Sequence, residues 1–503
     1  PKKIIASLNH SIVINSIHEI EIETYDNKSL NSLAWDNIEI KFNIGKLPIS
    51  FHLSRTFYSK IKQIFESFVC KIFDFWFKSD MNKTILLLEF DPSTYGDLLT
   101  ELSKYKKNIL IYNRRKPAIW NMSSIKTLHK TKSKLFNFKK LEFQFKKQIS
   151  SLTNNYLNEL EKVWQNKDIE NFFQIESSSF WYCIKDELLN VYRRRLSEYI
   201  SLLLISKNLL EKIDVSCILS SNLVGETEKS VLSMNNQKIH SIMLEHGYSN
   251  YVPEISRYDI LSMYPLIKDK IAVWGEIQKK YLVERKNIKN NQVLVVGSPK
   301  HDKLFKIKNN SILNSKKTIL LALHPVNHIS GNTDTNSYIK FEKFLLKFCD
   351  IIKKIPEIEI VVKLHPSQDK HNDDIKNIFK KIDSSILVYH VKPITELISM
   401  SDVVVTVSPE GFDPTTVILE SMIQEKPTMN IILDDNLFEF EYVKDNAVLS
   451  IFFNDQLETN LKNILFNNEI KNNLIKNGKN HIKNYLTNPG TSSKYFAKII
   501  DSF

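Results

Sequence analysis

Polar side chains suited to phosphate binding follow an apolar run in the second half of the chain. Residues 403–407 (Val-Val-Val-Thr-Val) are typical of a buried parallel strand. Residues 408–411 (Ser-Pro-Glu-Gly) end it, and Thr415 and Thr416 open a helical pattern. Because unbonded N–H groups and the helix dipole attract anions, such a corner can bind a phosphate. The alternative is an ordinary strand-helix unit with capping residues.

A second corner of this kind follows a strand predicted over residues 357–363. His365 and Pro366 come directly after this strand. The proline ends the strand, the imidazole can donate to a phosphate oxygen, and Lys363 adds positive charge. A lone histidine is more often structural than functional, but two such corners in one sheet favour a phosphate-binding edge.

His324 lies at the end of a further predicted strand, residues 316–323, and precedes Pro325. His324 and His328 have the spacing of a helical metal-binding pair. The proline indicates a loop, however, and no third ligand is evident. We therefore predict no metal site here and place His324 in a polar loop near the phosphates.

The first half of the chain also carries charged side chains at strand ends. Glu226 follows a strand predicted over residues 214–220, Asp91 follows an earlier strand, and Glu245 and His246 follow a later one. Carboxylates and imidazoles in such loops can act as general bases. The alternative for each of them is a solvated loop charge.

The composition bounds the class of protein. The chain has 503 residues, of which 42% are hydrophobic and 11% aromatic, enough for two or three domains with packed cores. The formal net charge is +12, which fits an anionic partner such as a nucleotide, a phospholipid head group or a nucleic acid. Much of this excess is lysine scattered among asparagine and isoleucine rather than one patch.

The four cysteines are far apart and form no Cys-X-X-Cys pair. This spacing predicts a reducing compartment and neither a disulfide nor a zinc framework. No apolar run approaches the roughly 18 residues of a transmembrane helix, and no signal peptide is evident. We expect a cytoplasmic protein, with the inner face of the membrane as the alternative location.

Strands and helices alternate through most of the chain. Between residues 316 and 433 the alternation is continuous, which predicts a doubly wound parallel sheet. Residues 83–112 form one more strand-helix-strand unit, and residues 133–212 are mostly helical and highly charged. The sequence therefore predicts an α/β protein.

Residues 51–78 are predicted to form a helix that is rich in aromatic side chains and lysines. Such a helix can lie on a membrane surface. A buried or interface helix is favoured, because aromatic stripes usually belong to a core.

Five short motifs, in their order and spacing, resemble those of one group of proteins. They are Glu245-His-Gly247, Val273-Trp-Gly-Glu276, Val296-Gly-Ser-Pro-Lys-His-Asp302, Lys363-Leu-His-Pro366 and Ser408-Pro-Glu-Gly411. The chain resembles the GT-B glycosyltransferases. Within them it is similar to the surface and capsular polysaccharide group of Kdo transferases, CDP-glycerol glycerophosphotransferases and His-Pro-motif sialyltransferases.

The resemblance implies two Rossmann-like domains facing a cleft, with extra helices in the N-terminal half. The acceptor-side domain would cover residues 1–290, including a helical insertion at about 133–212. The nucleotide-sugar domain would cover residues 291–485. The final segment, residues 486–503, is expected to be a helix that packs back on the N-terminal domain.

The resemblance also implies roles for single residues. His365 would contact the nucleotide phosphate, Glu420 would lie near the ribose, and His246 would lie at the floor of the cleft on the acceptor side. Ser408, Thr415 and Thr416 would hold the phosphates at the helix start. The complete set of expected donor-side residues is Ser298, Lys300, His324, Lys363, His365, Pro366, Ser408, Pro409, Glu410, Gly411, Thr415, Thr416 and Glu420.

The chain departs from the group's pattern in three ways. It has Ser408-Pro409 where the sialyltransferases and glycerophosphotransferases usually have two serines, so the donor identity stays open. A CMP- or CDP-linked sugar is favoured and a UDP-linked sugar is the alternative. Glu410 and Glu420 are farther apart than in the common retaining class, which favours inversion. The double-glycine loop of the UDP-GlcNAc 2-epimerases is absent.

We expect a metal-independent, inverting glycosyltransferase with no cofactor beyond its nucleotide-sugar donor. Inverting transfer needs a base for the acceptor hydroxyl and cationic or dipolar groups for the departing phosphate. Glu226 is the expected base, and Asp91, Glu245 and His246 are the alternatives. The acceptor is expected to be a surface glycan or a lipid-linked molecule, with peripheral membrane contact and no nucleic acid.

Two other functions stay open. A non-hydrolysing sugar-nucleotide epimerase has the same architecture but needs no acceptor. A non-catalytic protein could instead use the basic charge to bind nucleic acid or a membrane, and its binding to RNA would fall steeply with salt.

Overall fold

A computed structural model provides the structure of the chain. Contacts between residues divide it into two compact units. The first comprises Pro1–Phe90, Asn108–Ser216 and Val224–Ile239, and the second comprises Asp91–Lys107, Cys217–Leu223 and His240–Phe503. The residues that the structure describes are 4–7, 22–25, 37–44, 47–78, 80, 82–119, 121–175, 178–221, 225–236, 239–245, 247, 269–307, 316–324, 335–365, 372–390, 392–408, 415–433, 440–453 and 456–503.

The strands are mostly short, and those of the two large sheets are rich in β-branched and aliphatic residues. They are β1 (Ile4–Ser7), β2 (Ile22–Tyr25), β3 (Asn37–Ile44), β4 (Leu47–Ser54), β5 (Thr84–Leu88), β6 (Asn108–Tyr112), β7 (Lys134–Leu135), β8 (Gln174–Ile175), β9 (Ser178–Ser179), β10 (Val215–Ser220), β11 (His240–Leu244), β12 (Lys270–Val273), β13 (Val293–Val295), β14 (Lys317–Ala322), β15 (Ile358–Lys363), β16 (Leu387–Tyr389), β17 (Val403–Ser408), β18 (Thr428–Ile432) and β19 (Leu449–Phe452).

The helices range from single turns to one of 32 residues. They are α1 (Arg55–Ile72), α2 (Gly96–Leu102), α3 (Met122–Thr131), α4 (Phe138–Gln144), α5 (Lys146–Trp164), α6 (Lys167–Phe172), α7 (Trp181–Lys212), α8 (Glu226–Ser233), α9 (Glu276–Lys286), α10 (Thr335–Lys353), α11 (Asn372–Ile382), α12 (Ile394–Met400), α13 (Thr416–Ile423), α14 (Glu441–Lys444), α15 (Leu457–Phe466), α16 (Asn468–Tyr485) and α17 (Ser492–Asp501).

Two parallel sheets contain most of the strands. The larger has the order β13-β12-β11-β10-β5-β6-β7, and the six-stranded sheet has the order β16-β15-β14-β17-β18-β19. In each, the chain adds strands on one side of a starting strand and then continues on the other side. This is the doubly wound order, in which ligands bind at the carboxyl ends of the two strands where the direction reverses. In the six-stranded sheet this switch point lies between β14 and β17.

The residue types explain why both faces of the six-stranded sheet are covered. Ile319 and Leu321 of β14 join the main hydrophobic core beneath α10 and α15. Leu320, on the other face, joins a smaller cluster with Leu397 and Ile398 of α12. A strand buried on both faces needs a continuous apolar run, which is the pattern of β14 and β17.

The predicted α/β class is confirmed, with two parallel sheets and flanking helices. The alternation predicted between residues 316 and 433 is present as β14 to β18 with their intervening helices. The additional helices expected in the N-terminal half are α4 to α7. Within the described part of the chain, no helix combines the length and apolar character needed to cross a membrane.

The prediction of one helix over residues 51–78 is wrong at both ends. Its first four residues belong to β4, which pairs antiparallel with β3. Helix α1 ends at Ile72, Asp74 adopts a left-handed conformation with φ of 50°, and Trp76 forms a bridge with Leu135. Pairing with other strands therefore overrides the local helical pattern at each end.

Candidate functional site

The switch point of the six-stranded sheet brings three predicted residues to one edge. The register pairs Ala322 of β14 with Lys363 of β15 on one side and with Thr406 of β17 on the other. Parallel strands share a carboxyl edge, so the residues that follow these positions are neighbours. Two positions further along the three strands, the chain reaches His324, His365 and Ser408.

His324 and His365 are in contact at this edge. Their ring centroids lie 5.7 Å apart with an interplanar angle of 41°, and both side chains are half-buried. Two imidazoles this close together can offer N–H donors to the same anion. This edge of the sheet is therefore a candidate anion site.

Lys363 is turned towards the sheet rather than towards open space. Its Nζ donates to the carbonyl oxygens of Leu364 at 2.6 Å and His390 at 2.8 Å, and the residue is only 7% exposed. Burial lowers the pKa of Lys363 to about 8. Two of its three donors are thus used to join the ends of β15 and β16.

Ser408 is also engaged inside the sheet. Its Oγ donates to Asn430 Oδ1 at 3.2 Å, and Thr406 Oγ1 donates to the same oxygen at 2.8 Å. Ser408 is 5% exposed. A phosphate at this corner would therefore need to be bound by other donors.

Helix α13 begins where the sequence predicts. Thr415 is its N-cap residue, with extended backbone, and its hydroxyl oxygen accepts from the N–H of Val417 at 3.3 Å. This is the capping role that forms the alternative to phosphate binding. Thr416, the first residue of the helix, is half-buried.

Glu420, one turn further along α13, faces a buried histidine. Its Oε1 lies 3.8 Å from Nε2 of His301, beyond hydrogen-bond distance. The Nδ1 of His301 lies 2.7 Å from Ser298 Oγ, whereas its Nε2 has no hydrogen-bond partner in the described structure. Burial lowers the pKa of His301 to about 4, so the ring is neutral at pH 7.

Lys300 and Glu245 each contact Trp274, which packs against His301. The Lys300 Nζ lies 5.2 Å from the centroid of the Trp274 ring, which also makes an edge contact with His301. Glu245 accepts from the Trp274 N–H through Oε2 at 2.9 Å, and its own carbonyl accepts from Trp274 Nε1. Burial lowers the pKa of Lys300, while Glu420 and Glu245 oppose this shift.

The turn that carries this cluster is fixed by the end of the chain. Gly297 has φ of 88°, and a Cβ there would lie 2.1 Å from the carbonyl oxygen of Thr487. Asp302 accepts from the N–H groups of Ser492 and Ser493 at the start of α17. The turn is therefore tied at both ends to the segment around α17.

Of the four residues Ser298, Lys300, His301 and Glu420, the sequence predicts three as site residues. Ser298, Lys300 and Glu420 were predicted as donor-side residues, and the structure brings them together within the second unit. His301 was missed, although it stands inside the Gly-Ser-Pro-Lys-His-Asp motif. Its position in that motif was the available signal, but only tertiary packing places it against Glu420.

A second polar cluster lies at the carboxyl ends of β5 and β6 in the first unit. Glu89, directly after β5, has φ of 57°. Its Oε1 accepts from the N–H groups of Arg114 and Arg115 and from Thr227 Oγ1, at 2.9, 3.1 and 2.8 Å. This carboxylate orients the loop after β6 against the start of α8.

Glu226, the predicted base, is the first residue of α8 and is held by cations. Its Oε2 lies 3.3 Å from Arg114 Nη1, and its Oε1 accepts from Arg195 and, at 3.3 Å, from Tyr199. The Glu226 side chain is 26% exposed. A ligand can therefore approach it, although Arg114, Arg195 and Tyr199 already occupy its two oxygens.

Glu228 is a further carboxylate of this cluster, and it is not among the residues predicted from the sequence. It is fully buried, its Oε1 pairs with Arg115, and its Oε2 has no hydrogen-bond partner in the described structure. Burial raises the pKa of Glu228 to about 7, although Arg115 opposes the shift. Gly225 leaves room for this carboxylate, because a Cβ there would lie 2.1 Å from Oε2.

The two alternative bases Asp91 and Glu245 have structural partners. Asp91 accepts from Ser93 N–H at 2.8 Å and from Thr94 Oγ1 at 3.0 Å, and so stabilises the turn before α2. Glu245 is 2% exposed beneath Trp274. The remaining predicted site residues lie outside the described residues; these are His246, Pro366, Pro409, Glu410 and Gly411.

Comparison with known proteins gives structural likeness only. No protein-family model matches the chain. No curated protein matches it in sequence. The solved structures that are similar to it include nucleotide-sugar epimerases and glycosyltransferases.

Three of these structures illustrate the likeness. UDP-GlcNAc 2-epimerase from Neisseria meningitidis, bound to UDP-GlcNAc, has a TM-score of 0.49 at 16% identity and covers 84% of this chain and 98% of its own. A glycosyltransferase from Rickettsia africae has a TM-score of 0.47 at 12% identity, and the match covers 84% of this chain and 99% of that one. HepE from Anabaena, in complex with UDP and glucose, has a TM-score of 0.45 at 11% identity, and the match covers 84% of this chain and 100% of that one.

Proposed function

We propose that this protein is a GT-B type, metal-independent and inverting glycosyltransferase. It transfers a sugar from a nucleotide-activated donor to a surface glycan or a lipid-linked acceptor. A CMP- or CDP-linked donor is favoured, with a UDP-linked donor as the alternative, and this preference rests on the resemblance to the Kdo, glycerophosphate and sialic acid transferases.

The contact between His324 and His365 at the switch point carries the proposal. The carboxyl edge of a doubly wound sheet at its switch point is where such sheets bind ligands. In the six-stranded sheet, this edge carries two imidazoles, and β17, which ends at Ser408, is the strand that precedes α13 in the chain. Imidazole N–H groups and a helix start are suited to the phosphates of a nucleotide donor.

The cluster around Glu420 supports the second part of a nucleotide site. Glu420 is 15% exposed, lies on α13, and has the Nε2 atom of the neutral His301 ring 3.8 Å from its Oε1. A partly exposed carboxylate has two acceptor oxygens and can accept from two ribose hydroxyls. The Lys300 ammonium nearby supplies a positive charge.

Glu226 remains our proposed base, and Glu228 is a competing carboxylate because its pKa is raised to about 7. The predicted domain boundaries at residues 290 and 485 belong to this proposal as well.

Nucleotide binding is the first test of the proposed function. Thermal unfolding is measured with CMP, CDP, UDP, ADP and GDP in turn, since a ligand that binds the folded state raises the melting temperature. A rise with one of the pyrimidine nucleotides, unaffected by EDTA, is the expected result. Equal responses to all five nucleotides, or none, would contradict a specific donor site.

Product analysis then separates transfer from epimerisation. The protein is incubated with the matching nucleotide sugar, first alone and then with a glycan or lipid-linked acceptor. A transferase forms a glycosylated acceptor and leaves the sugar configuration of the unused donor intact. Conversion of the donor sugar to its epimer without any acceptor would identify an epimerase instead.

A further inference from the structure

Helix α1 turns its large apolar side chains away from the protein. Six of them repeat at helical spacing and are between 41% and 67% exposed. They form what we call the α1 stripe, which consists of Phe57, Ile61, Ile64, Phe65, Phe68 and Ile72. An exposed apolar surface of this continuity is unusual for a protein face that meets only water.

The opposite face of α1 is the one that packs on the protein, and much of it is small or polar. Val69 and Cys70 are buried there, and Glu66 is half-buried. The Oε1 of Glu66 accepts from the N–H groups of Ala118 at 2.6 Å and Ile119 at 3.2 Å. The usual arrangement of a surface helix is thus reversed, because its larger apolar face is outside.

The charges around the α1 stripe are predominantly positive. Lys60 and Lys71 are exposed and form no ion pair with a described carboxylate, and Lys62 Nζ lies 4.0 Å from the Tyr58 ring centroid. The exposed acid beyond the helix, Asp74, is paired with lysines. The only carboxylate on α1 is Glu66, which faces inward.

We propose that the α1 stripe docks on an anionic lipid surface. A helix of 18 residues is about 27 Å long and can lie in the plane of the interface with Phe and Ile side chains among the acyl chains. Lys60 and Lys71 flank the stripe and would contact anionic head groups. The inference does not depend on the proposed transfer reaction.

Charge complementarity favours this partner over another protein. A specific protein interface usually contains hydrogen-bonding groups that fix its register, whereas the α1 stripe presents only hydrocarbon bordered by cations. The net charge of +12 acts in the same direction, because it attracts the chain as a whole to an anionic surface.

Sedimentation with lipid vesicles tests the proposal on the full-length protein. Wild type is mixed with vesicles of phosphatidylcholine alone and with vesicles that also contain phosphatidylglycerol. We expect strong binding only to the anionic vesicles, weakened by high salt. Absence of binding to anionic vesicles at low salt would overturn the proposal.

The apolar part of the surface is tested by the triple variant Ile64→Gln, Phe65→Gln, Phe68→Gln. We expect its affinity for anionic vesicles to fall at least about tenfold, since three apolar anchors are lost. Because these side chains are exposed, the circular dichroism spectrum and melting temperature should stay near those of wild type. The matched control changes three exposed apolar residues elsewhere and should bind like wild type: Met122→Gln, Phe143→Gln, Phe172→Gln.

The charged part is tested by Lys60→Glu with Lys71→Glu, which should also weaken binding about tenfold or more. The control pair Lys476→Glu with Lys483→Glu changes the net charge equally on α16, where both lysines are exposed. An equal loss of vesicle affinity in both double variants would mean that only the net charge matters, and it would overturn docking through α1. A dimer in light scattering that the triple variant abolishes would also overturn it, in favour of a second copy of this chain.

Discussion

The imidazole rings of His324 and His365 lie 5.7 Å apart at the switch point of the six-stranded sheet. They belong to different strand ends, and each was predicted on its own as a polar residue preceding a proline. Each histidine alone is a weak indication of function, whereas the two in contact form one candidate anion site.

Replacing His365 with alanine should weaken nucleotide binding. Loss of one hydrogen bond to a charged phosphate costs about 1.5–3 kcal/mol, so the Kd should rise about ten- to a hundredfold. Isothermal titration calorimetry with the nucleotide found by thermal shift measures this. His324→Ala should act in the same direction, whereas the exposed His129→Ala on α3 should not. Unchanged affinity in both strand-end variants would remove the phosphate role.

Glu420→Gln should reduce the discrimination between ribonucleotides and their deoxy analogues. The proposed carboxylate contacts with the ribose hydroxyls are charge-assisted, and a neutral amide forms weaker ones. We expect the ratio of deoxynucleotide to ribonucleotide Kd to fall about tenfold in the variant. A ratio identical to that of wild type would show that Glu420 serves only the contact with His301.

Glu226→Gln should abolish transfer and leave nucleotide binding intact. Removal of a general base lowers turnover by about two to four orders of magnitude. Glu198→Gln is the matched control, because Glu198 also pairs with Arg195 and is 49% exposed. If Glu226→Gln retains activity while Glu228→Gln loses it, the base is the buried carboxylate paired with Arg115.

Glu66→Gln should change the dependence of stability on pH. Burial raises the pKa of Glu66 to about 7, above the ordinary value of 4.5. Below about pH 4.5 the carboxyl is protonated in both the folded and unfolded states. As the pH rises to about 7, the unfolded state loses its proton first, and the wild type loses stability that the variant keeps.

Denaturant unfolding at pH 5 and pH 8 measures the difference for Glu66. The glutamine oxygen can still accept from Ala118 and Ile119, so the hydrogen bonds survive the substitution. We expect the variant to gain about 1–3 kcal/mol relative to wild type between the two pH values. A constant difference between the two proteins would mean that Glu66 is already ionised at pH 5.

Gly297→Ala should destabilise the second unit. Its φ of 88° disfavours any side chain, and the new Cβ would meet the Thr487 carbonyl oxygen at 2.1 Å. The expected loss is at least about 2 kcal/mol. Gly247→Ala is the control, because no atom of the described residues lies within 4 Å of a Cβ at that glycine. Similar melting temperatures for wild type and both variants would contradict the packing of this turn.

Local sequence patterns are enough to find most of the strands and helices and most of the single candidate residues. Fully buried strands such as β5 and β17 are continuous apolar runs, so local composition is enough to find them. Residues that end strands, such as His365, and residues that begin helices, such as Thr415, are marked by neighbouring breaks in the pattern. Local rules therefore place described candidates such as His365 and Thr415 at the ends of elements that the structure contains.

Long-range packing, which local patterns do not report, settles which of these residues meet and which already have partners. The strand order places His324 next to His365. Residues far apart in the chain also become partners: Ser408 donates to Asn430, and Glu226 pairs with Arg195. Lys363 donates to two backbone carbonyls. The tertiary structure also leaves the α1 stripe exposed, whereas the sequence favours a buried or interface helix. Periodicity reports that a helix has an apolar face, but which face is covered depends on contacts between residues far apart in the chain.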